Sequence, residues 1–147
     1  MKMMKTNDKI KLFLVDDDQV YLKLLTIELN NSGNYDIATF DTGEDCIASL
    51  SKSPDLIILD YNLDGININS INGIATLDII KAFNLDIPVI MLSAQDSIDI
   101  AIQCMHHGAF DYVVKSSTAF IRLDNIIPKL FTFKKMEKEL KWYIENL

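Results

Sequence analysis

Five short apolar runs alternate with stretches of helical periodicity along the chain, and that alternation limits the fold more than any other feature. The runs cover residues 10–15, 35–40, 55–59, 87–92 and 109–114. The first, third and fourth are nearly continuous in Leu, Ile, Val and Phe, the pattern of central parallel strands covered on both faces. Between the runs, apolar residues recur at helical spacing: Val20, Leu24 and Ile27 together with Leu25 and Leu29, then over 44–50, 74–83 and 98–107. Strand–helix repeats imply parallel strands joined by right-handed crossovers, with helices on both faces of the sheet. A closed barrel takes about eight such units. Five predict an open, doubly wound α/β sheet.

Local punctuation agrees with this reading. Asp18 suits capping of the first helix. Asp41 and Thr42 can cap the second, with Glu44 and Asp45 in a first turn where the helix dipole favours negative charge. Asp96 followed by Asp99 resembles a capping box for the fourth, and Gly108 stands where a left-handed C-terminal cap is wanted. Two segments break the regularity. Residues 64–72, rich in Asn, Ile, Ser and Gly, read as an enlarged loop between the third strand and the third helix. The tail over 128–147 is rich in Lys and Glu and places Phe133, Met136, Leu140, Tyr143 and Leu147 at 3-4-3-4 spacing, a heptad seam. It reads either as the last helix running on into solvent or as a dimerising or linking helix. The expected organisation is a domain over 8–130 and a helical extension over 131–147.

Composition narrows the class. At 147 residues, 49% apolar and 24% charged, the chain can bury a core, which excludes disorder and a disulfide scaffold. Acids outnumber bases 21 to 14, and a formal charge of −7 argues against binding a phosphate backbone directly. Cys46 and Cys104 lie in helical segments without ligand spacing and read as buried packing. The first apolar run is broken by Lys11 and stopped by three aspartates, too short for a signal peptide or a membrane span. A cytoplasmic protein is expected.

Ligands of doubly wound sheets bind beyond the carboxyl ends of the strands. There the first strand delivers Asp16, Asp17 and Asp18, the third Asp60, the fourth Ser93 and the fifth Lys115. Clustered carboxylates repel unless a cation intervenes, and a hard divalent ion held by carboxylates, a carbonyl and waters answers that need. Mg²⁺ is the expected ion, with Mn²⁺ as the alternative. A metal, an ammonium and a hydroxyl around one carboxylate suit phosphoryl transfer onto that carboxylate. Asp60, ending the most continuous buried run, is the central candidate.

The segments LFLVDDD at 12–18, DLIILDYNLDG at 55–65, VIMLSA at 89–94 and GAFDYVVKS at 108–116 together resemble the receiver domain of two-component response regulators, the CheY-like family. The resemblance covers roughly residues 8–130 and implies a flavodoxin-like sheet of order 2-1-3-4-5. It implies that Asp60 accepts a phosphoryl group from a kinase histidine, and that Asp17 ligates Mg²⁺ with Asp60 and the backbone carbonyl of Asn62. Asp16 would act through water. Ser93 would hydrogen-bond a phosphoryl oxygen, Lys115, 22 positions later, would pair with its charge, Ala94 would leave the acyl phosphate accessible, and Tyr112 would be an aromatic switch. The implied partners are a sensor histidine kinase or a histidine phosphotransfer protein, with an output domain or a second copy engaged through the C-terminal helix. Turnover beyond self-phosphorylation and autodephosphorylation is not expected.

Three positions differ from the family's pattern: Ser116 and Asp64 stand where proline is usual, and the helix-opening glycine is delayed to Gly73. A cis bond before a non-proline costs ~2.5–4 kcal/mol, so the Lys115–Ser116 bond is open between cis and trans. A haloacid-dehalogenase-like phosphatase shares the order Asp, Ser, Lys, but has a second acid where this chain has Asn62. A flavodoxin-type flavin carrier would need a phosphate loop where three aspartates stand. A receiver-like scaffold that takes no phosphate is the remaining alternative. His106 and His107, adjacent near a helix C-terminus, read as structural.

Overall fold

The computed structural model describes residues 9–63 and 69–147. The expected domain start at Asp8, and residues 64–68 of the loop expected over 64–72, lie outside the described residues. Five parallel strands, β1 (Ile10–Val15), β2 (Tyr35–Phe40), β3 (Leu56–Asp60), β4 (Val89–Ser93) and β5 (Asp111–Val114), form one sheet in the order β2-β1-β3-β4-β5. The helices α1 (Gln19–Ser32), α2 (Gly43–Ala48), α3 (Gly73–Phe83), α4 (Ile98–His106) and α5 (Ala119–Glu145) follow the strands in turn, with a short 3-10 turn at Leu50–Lys52. This is the doubly wound, flavodoxin-like arrangement with an extended C-terminal helix.

Alternation along the strands builds two cores. Phe13, Val15, Ile57, Leu59, Val89 and Met91 meet α2, α3 and α4 on one face, while Leu12, Leu14, Leu56, Ile58, Ile90 and Leu92 meet α1 and α5 on the other. β3 and β4 are buried at every position, as strands covered on both faces should be. Burying a leucine or isoleucine side chain contributes about 1.5–3 kcal/mol, so these central strands anchor the rim above them.

Several local expectations are corrected. Strand pairing starts at Leu56, Val89 and Asp111 rather than at 55, 87 and 109. In α1 the buried seam is Leu22, Leu25 and Leu29, whereas Val20, Leu24 and Ile27 face outward. The cap of α4 is Ser97, whose Oγ accepts from Ile100 N at 3.3 Å, in place of Asp96. Thr42 caps α2 and Asp18 caps α1, as expected, and Gly108 takes φ +98°. Among the described residues no peptide bond is cis, so Lys115 is joined to Ser116 by a trans bond.

The helix that ends the chain is continuous from Ala119 to Glu145, with Pro128 inside it. Its first half is anchored by Leu123, Ile127 and Leu130. Beyond that point Phe133, Met136, Leu140, Tyr143 and Leu147 are all exposed. His107 Nδ1 lies 2.7 Å from Asp78 Oδ1, a surface tie between the end of α4 and α3 that accords with a structural histidine.

Candidate functional site

The carboxyl ends of β1, β3, β4 and β5 bring Asp16, Asp17, Asp60, Ser93 and Lys115 to one rim. Carboxylate oxygens of Asp16, Asp17 and Asp60 lie within 4.8 Å of one another. Asp16, Asp60 and Ser93 are buried, and Asp17 is half-buried. Lys115 Nζ bridges the buried pair, 2.8 Å from Asp16 Oδ2 and 3.3 Å from Asp60 Oδ1. Its backbone N–H donates to Ser93 O at 2.7 Å, which fixes the lysine beside β4.

Local structure places each group. Asp16 Oδ1 accepts from Asp18 N at 2.9 Å, and Asp18 Oδ1 accepts from Val20 N and Tyr21 N at 3.0 and 3.2 Å, so the acidic run and the start of α1 are one unit. Asp60 Oδ1 accepts from Asn62 N at 3.2 Å. At the end of β3, Gly73 N donates to Tyr61 O at 3.1 Å, and a Cβ at Gly73 would lie 2.4 Å from Asp60 O. Only glycine permits so close an approach of α3 to the peptide of residue 60. Asn72 caps that helix, its Oδ1 accepting from Ala75 N at 2.8 Å.

Three acids against one ammonium leave the cluster with excess negative charge. Burial, followed by the charge of Asp16, raises the Asp60 carboxyl to about 7, although Lys115 and the Asn62 N–H pull the other way. Burial works against the Lys115 ammonium, yet its pairs with Asp16 and Asp60 outweigh it and hold its pKa above the ordinary value. Asp16 Oδ2 is fully buried and has no well-angled hydrogen bond, its 2.8 Å contact being the ion pair with Lys115. An all-oxygen donor set with a buried, under-satisfied oxygen fits a hard divalent cation.

Ser93 and Tyr112 are joined through one residue. Ser93 Oγ accepts from Gln95 N at 3.1 Å, and the Tyr112 hydroxyl donates to Gln95 O. The Tyr112 ring is buried in the core beneath α4. Both bonds end on the backbone of Gln95, so the serine hydroxyl and the tyrosine hydroxyl hold the same residue. Ala94 and Asn62 are exposed at the rim. Two neighbours escaped the sequence reading: Tyr61 hydrogen-bonds Gln103 of α4 at 3.2 Å, and the Tyr21 ring lies under Lys115 Nζ, 4.6 Å from its centroid. The position of Tyr21, in the first turn after the acidic strand end, was the available signal for the second.

Known proteins share the family and the fold. The chain matches the family described as response regulator receiver domain over residues 12–129. It is 34% identical over 121 residues to the transcriptional regulatory protein ZraR of Salmonella typhimurium, covering 82% of this chain and 26% of that protein. It is 37% identical over 100 residues to the regulatory protein LuxO of Vibrio vulnificus, covering 67% of this chain and 19% of that protein. The chain thus spans between about a fifth and a quarter of the length of these curated relatives. Among solved structures, the receiver domain of NtrX from Brucella abortus superposes with a TM-score of 0.72 at 27% identity, covering 80% of this chain and 95% of that one. A CheY-like receiver domain protein from Methanospirillum hungatei gives 0.74 at 21% identity over 88% and 99%, a likeness of fold. With the motifs, the strand order and the family match in agreement, the chain belongs to the response regulator receiver family.

Proposed function

We propose that this chain accepts a phosphoryl group on Asp60 from the histidine of a sensor kinase or histidine phosphotransfer protein, and that the modification switches its surface. The observation that carries the reading is the convergence of Asp16, Asp17 and Asp60 with Lys115 at one buried rim. In the transfer, a carboxylate oxygen of Asp60 forms a bond to phosphorus as the P–N bond of the donor breaks. The bonding electron pair leaves with the imidazole nitrogen. Lys115 follows the new charge, and Ser93 donates its hydroxyl to a phosphoryl oxygen.

Asp17, Asp60 and the carbonyl of Asn62 would hold Mg²⁺ or Mn²⁺, with Asp16 acting through water. When bound, such an ion neutralises charge on the equatorial phosphoryl oxygens. Turning Ser93 toward the phosphoryl group forfeits its bond from Gln95 N–H, which frees the loop that Tyr112 holds. The output is then a population shift at the face of α4, β5 and α5. The exposed apolar residues of the α5 extension support a contact beyond this domain, with an output module or a second copy.

The reading makes the chain a switch that turns over only its own phosphoryl group, working in the cytoplasm where kinase donors act. No helix among the described residues is long and apolar enough to cross a membrane. A net charge of −7 speaks against direct nucleic-acid binding by this chain. Incubation with acetyl phosphate and Mg²⁺, followed by intact-mass analysis, tests the proposal. One phosphoryl group is expected on the wild type and none on Asp60→Asn; equal labelling of both overturns it.

A further inference from the structure

Among the described residues, the Lys115 ammonium meets two acids at this rim, Asp16 and Asp60, and one further group. The third is the face of Tyr21, with Nζ 4.6 Å from the ring centroid. Tyr21 is placed by the same acidic run that the ammonium pairs with. Asp16 Oδ1 accepts from Asp18 N, Asp18 Oδ1 accepts from Tyr21 N, the Tyr21 ring faces Lys115, and Lys115 returns to Asp16 Oδ2. The contacts close a ring of four residues. Tyr21 also stacks on Phe120, the second residue of α5, with centroids 6.0 Å apart and planes at 29°.

The hydroxyl of Tyr21 does not explain this placement, because its oxygen is buried and makes no hydrogen bond with any described residue. The aromatic face is what the site uses. An ammonium over an aromatic ring is held by the ring quadrupole, most strongly where water is excluded. Lys115 is mostly buried, its side chain 14% exposed. A lysine tethered by carboxylates alone could follow either acid; one seated on a ring is confined to the space above both.

We infer that Tyr21 is a positioning residue: its ring seats the Lys115 ammonium over Asp16 and Asp60, and its stacking on Phe120 ties that seat to the first turn of α5. The inference rests on the reading that Lys115 pairs with the arriving phosphoryl charge. It gives α5 a contact with the phosphorylation site separate from the path through Ser93 and Tyr112.

The test compares Tyr21→Phe, which keeps the ring face, with Tyr21→Leu, which fills space without one. Proton–carbon NMR of the Lys115 ε-methylene is read first, on the unphosphorylated chain without metal. A ring under the methylene moves its proton signal upfield. The shift is expected in the wild type and Tyr21→Phe, to be lost in Tyr21→Leu, and to be reduced in Phe120→Leu. Phosphorylation by acetyl phosphate with Mg²⁺ is read second. Tyr21→Leu is expected to slow it by on the order of tenfold, within the range of a cation–π contact, and Tyr21→Phe to restore the rate. If Tyr21→Leu does not fold, a ring-fluorinated phenylalanine at position 21 keeps the shape while draining the face, and should behave as Leu does in the rate. An unchanged Lys115 signal in folded Tyr21→Leu, or Tyr21→Phe as slow as the ringless or fluorinated variant, overturns the inference. A wild type that takes no phosphoryl group removes the functional reading instead, and the NMR comparison still decides the seat.

Discussion

The crowding of acids at the rim should make the metal-free protein lose stability as pH rises, with Asp60 as the cause. The Asp60 carboxyl titrates near 7 in the folded chain against 3.8 ordinarily, chiefly because it is buried and faces Asp16. Between those values the folded state holds a proton that the unfolded state has released, so unfolding becomes easier with each step upward in pH. Full stability is present below the unfolded value, and the loss is complete above about 7. A gap of about 3 units at 1.36 kcal/mol each amounts to about 4 kcal/mol in all, of which about 3 falls between pH 5 and 8. Asp60→Asn keeps the shape and removes the charge. Urea unfolding of both proteins in EDTA, at about pH 5 and about pH 8, measures the effect. The advantage of Asp60→Asn over the wild type should widen by about 3 kcal/mol across that interval. Curves that move in parallel would refute the reasoning.

Three further outcomes follow from the packing. Gly73→Ala forces α3 away from the peptide of Asp60, because its Cβ would sit 2.4 Å from Asp60 O; phosphoryl uptake from acetyl phosphate should slow by roughly 10- to 100-fold, the scale of a ~1 Å misplacement. Leu77→Ala opens a cavity at a fully buried position of α3 and should cost about 2–5 kcal/mol in urea unfolding, with the m-value unchanged. Burial raises the Cys46 thiol to about 12 and the Cys104 thiol to about 11; both should resist a thiol reagent in the native chain and react together on unfolding, as followed by absorbance.

The parts of the fold legible in the sequence are those where one physical signal dominates. β3 and β4 sit in continuous apolar runs because both faces are covered, so they and their order along the chain could be read directly. Helix α1 was legible as a helix but not as a face. Val20, Leu24 and Ile27 satisfy helical spacing as well as Leu22, Leu25 and Leu29 do, and periodicity cannot choose between two apolar stripes. The apolar runs begin ahead of their strands at 87 and 109 because Ile87 and Ala109 are buried on the approach, while at 55 the N–H of Asp55 already donates to Lys11 O one residue ahead of β3. The tail over 128–147 was legible as helix from its heptad spacing, and α5 does run through Pro128, with Ile127 and Leu130 on either side of it buried.

The site was readable for a different reason. Strand ends of a doubly wound sheet share one rim, so Asp16, Asp17, Asp60, Ser93 and Lys115 could be brought together from topology alone. What topology does not convey is which side chains support them. Tyr21 and Lys115 are 94 positions apart and meet through a ring face, and Gln95 links Ser93 to Tyr112 through its backbone, which no residue type announces.

Borohydride trapping of the phosphorylated chain tests the central claim most directly. The hydride reduces an acyl phosphate on aspartate to homoserine with loss of phosphate, and peptide mass mapping then reads the position. After treatment with acetyl phosphate and Mg²⁺, homoserine should be found at residue 60 and nowhere else, and omission of the cation should abolish it. Homoserine at Asp16 or Asp17, or equal yield in EDTA, would contradict the account.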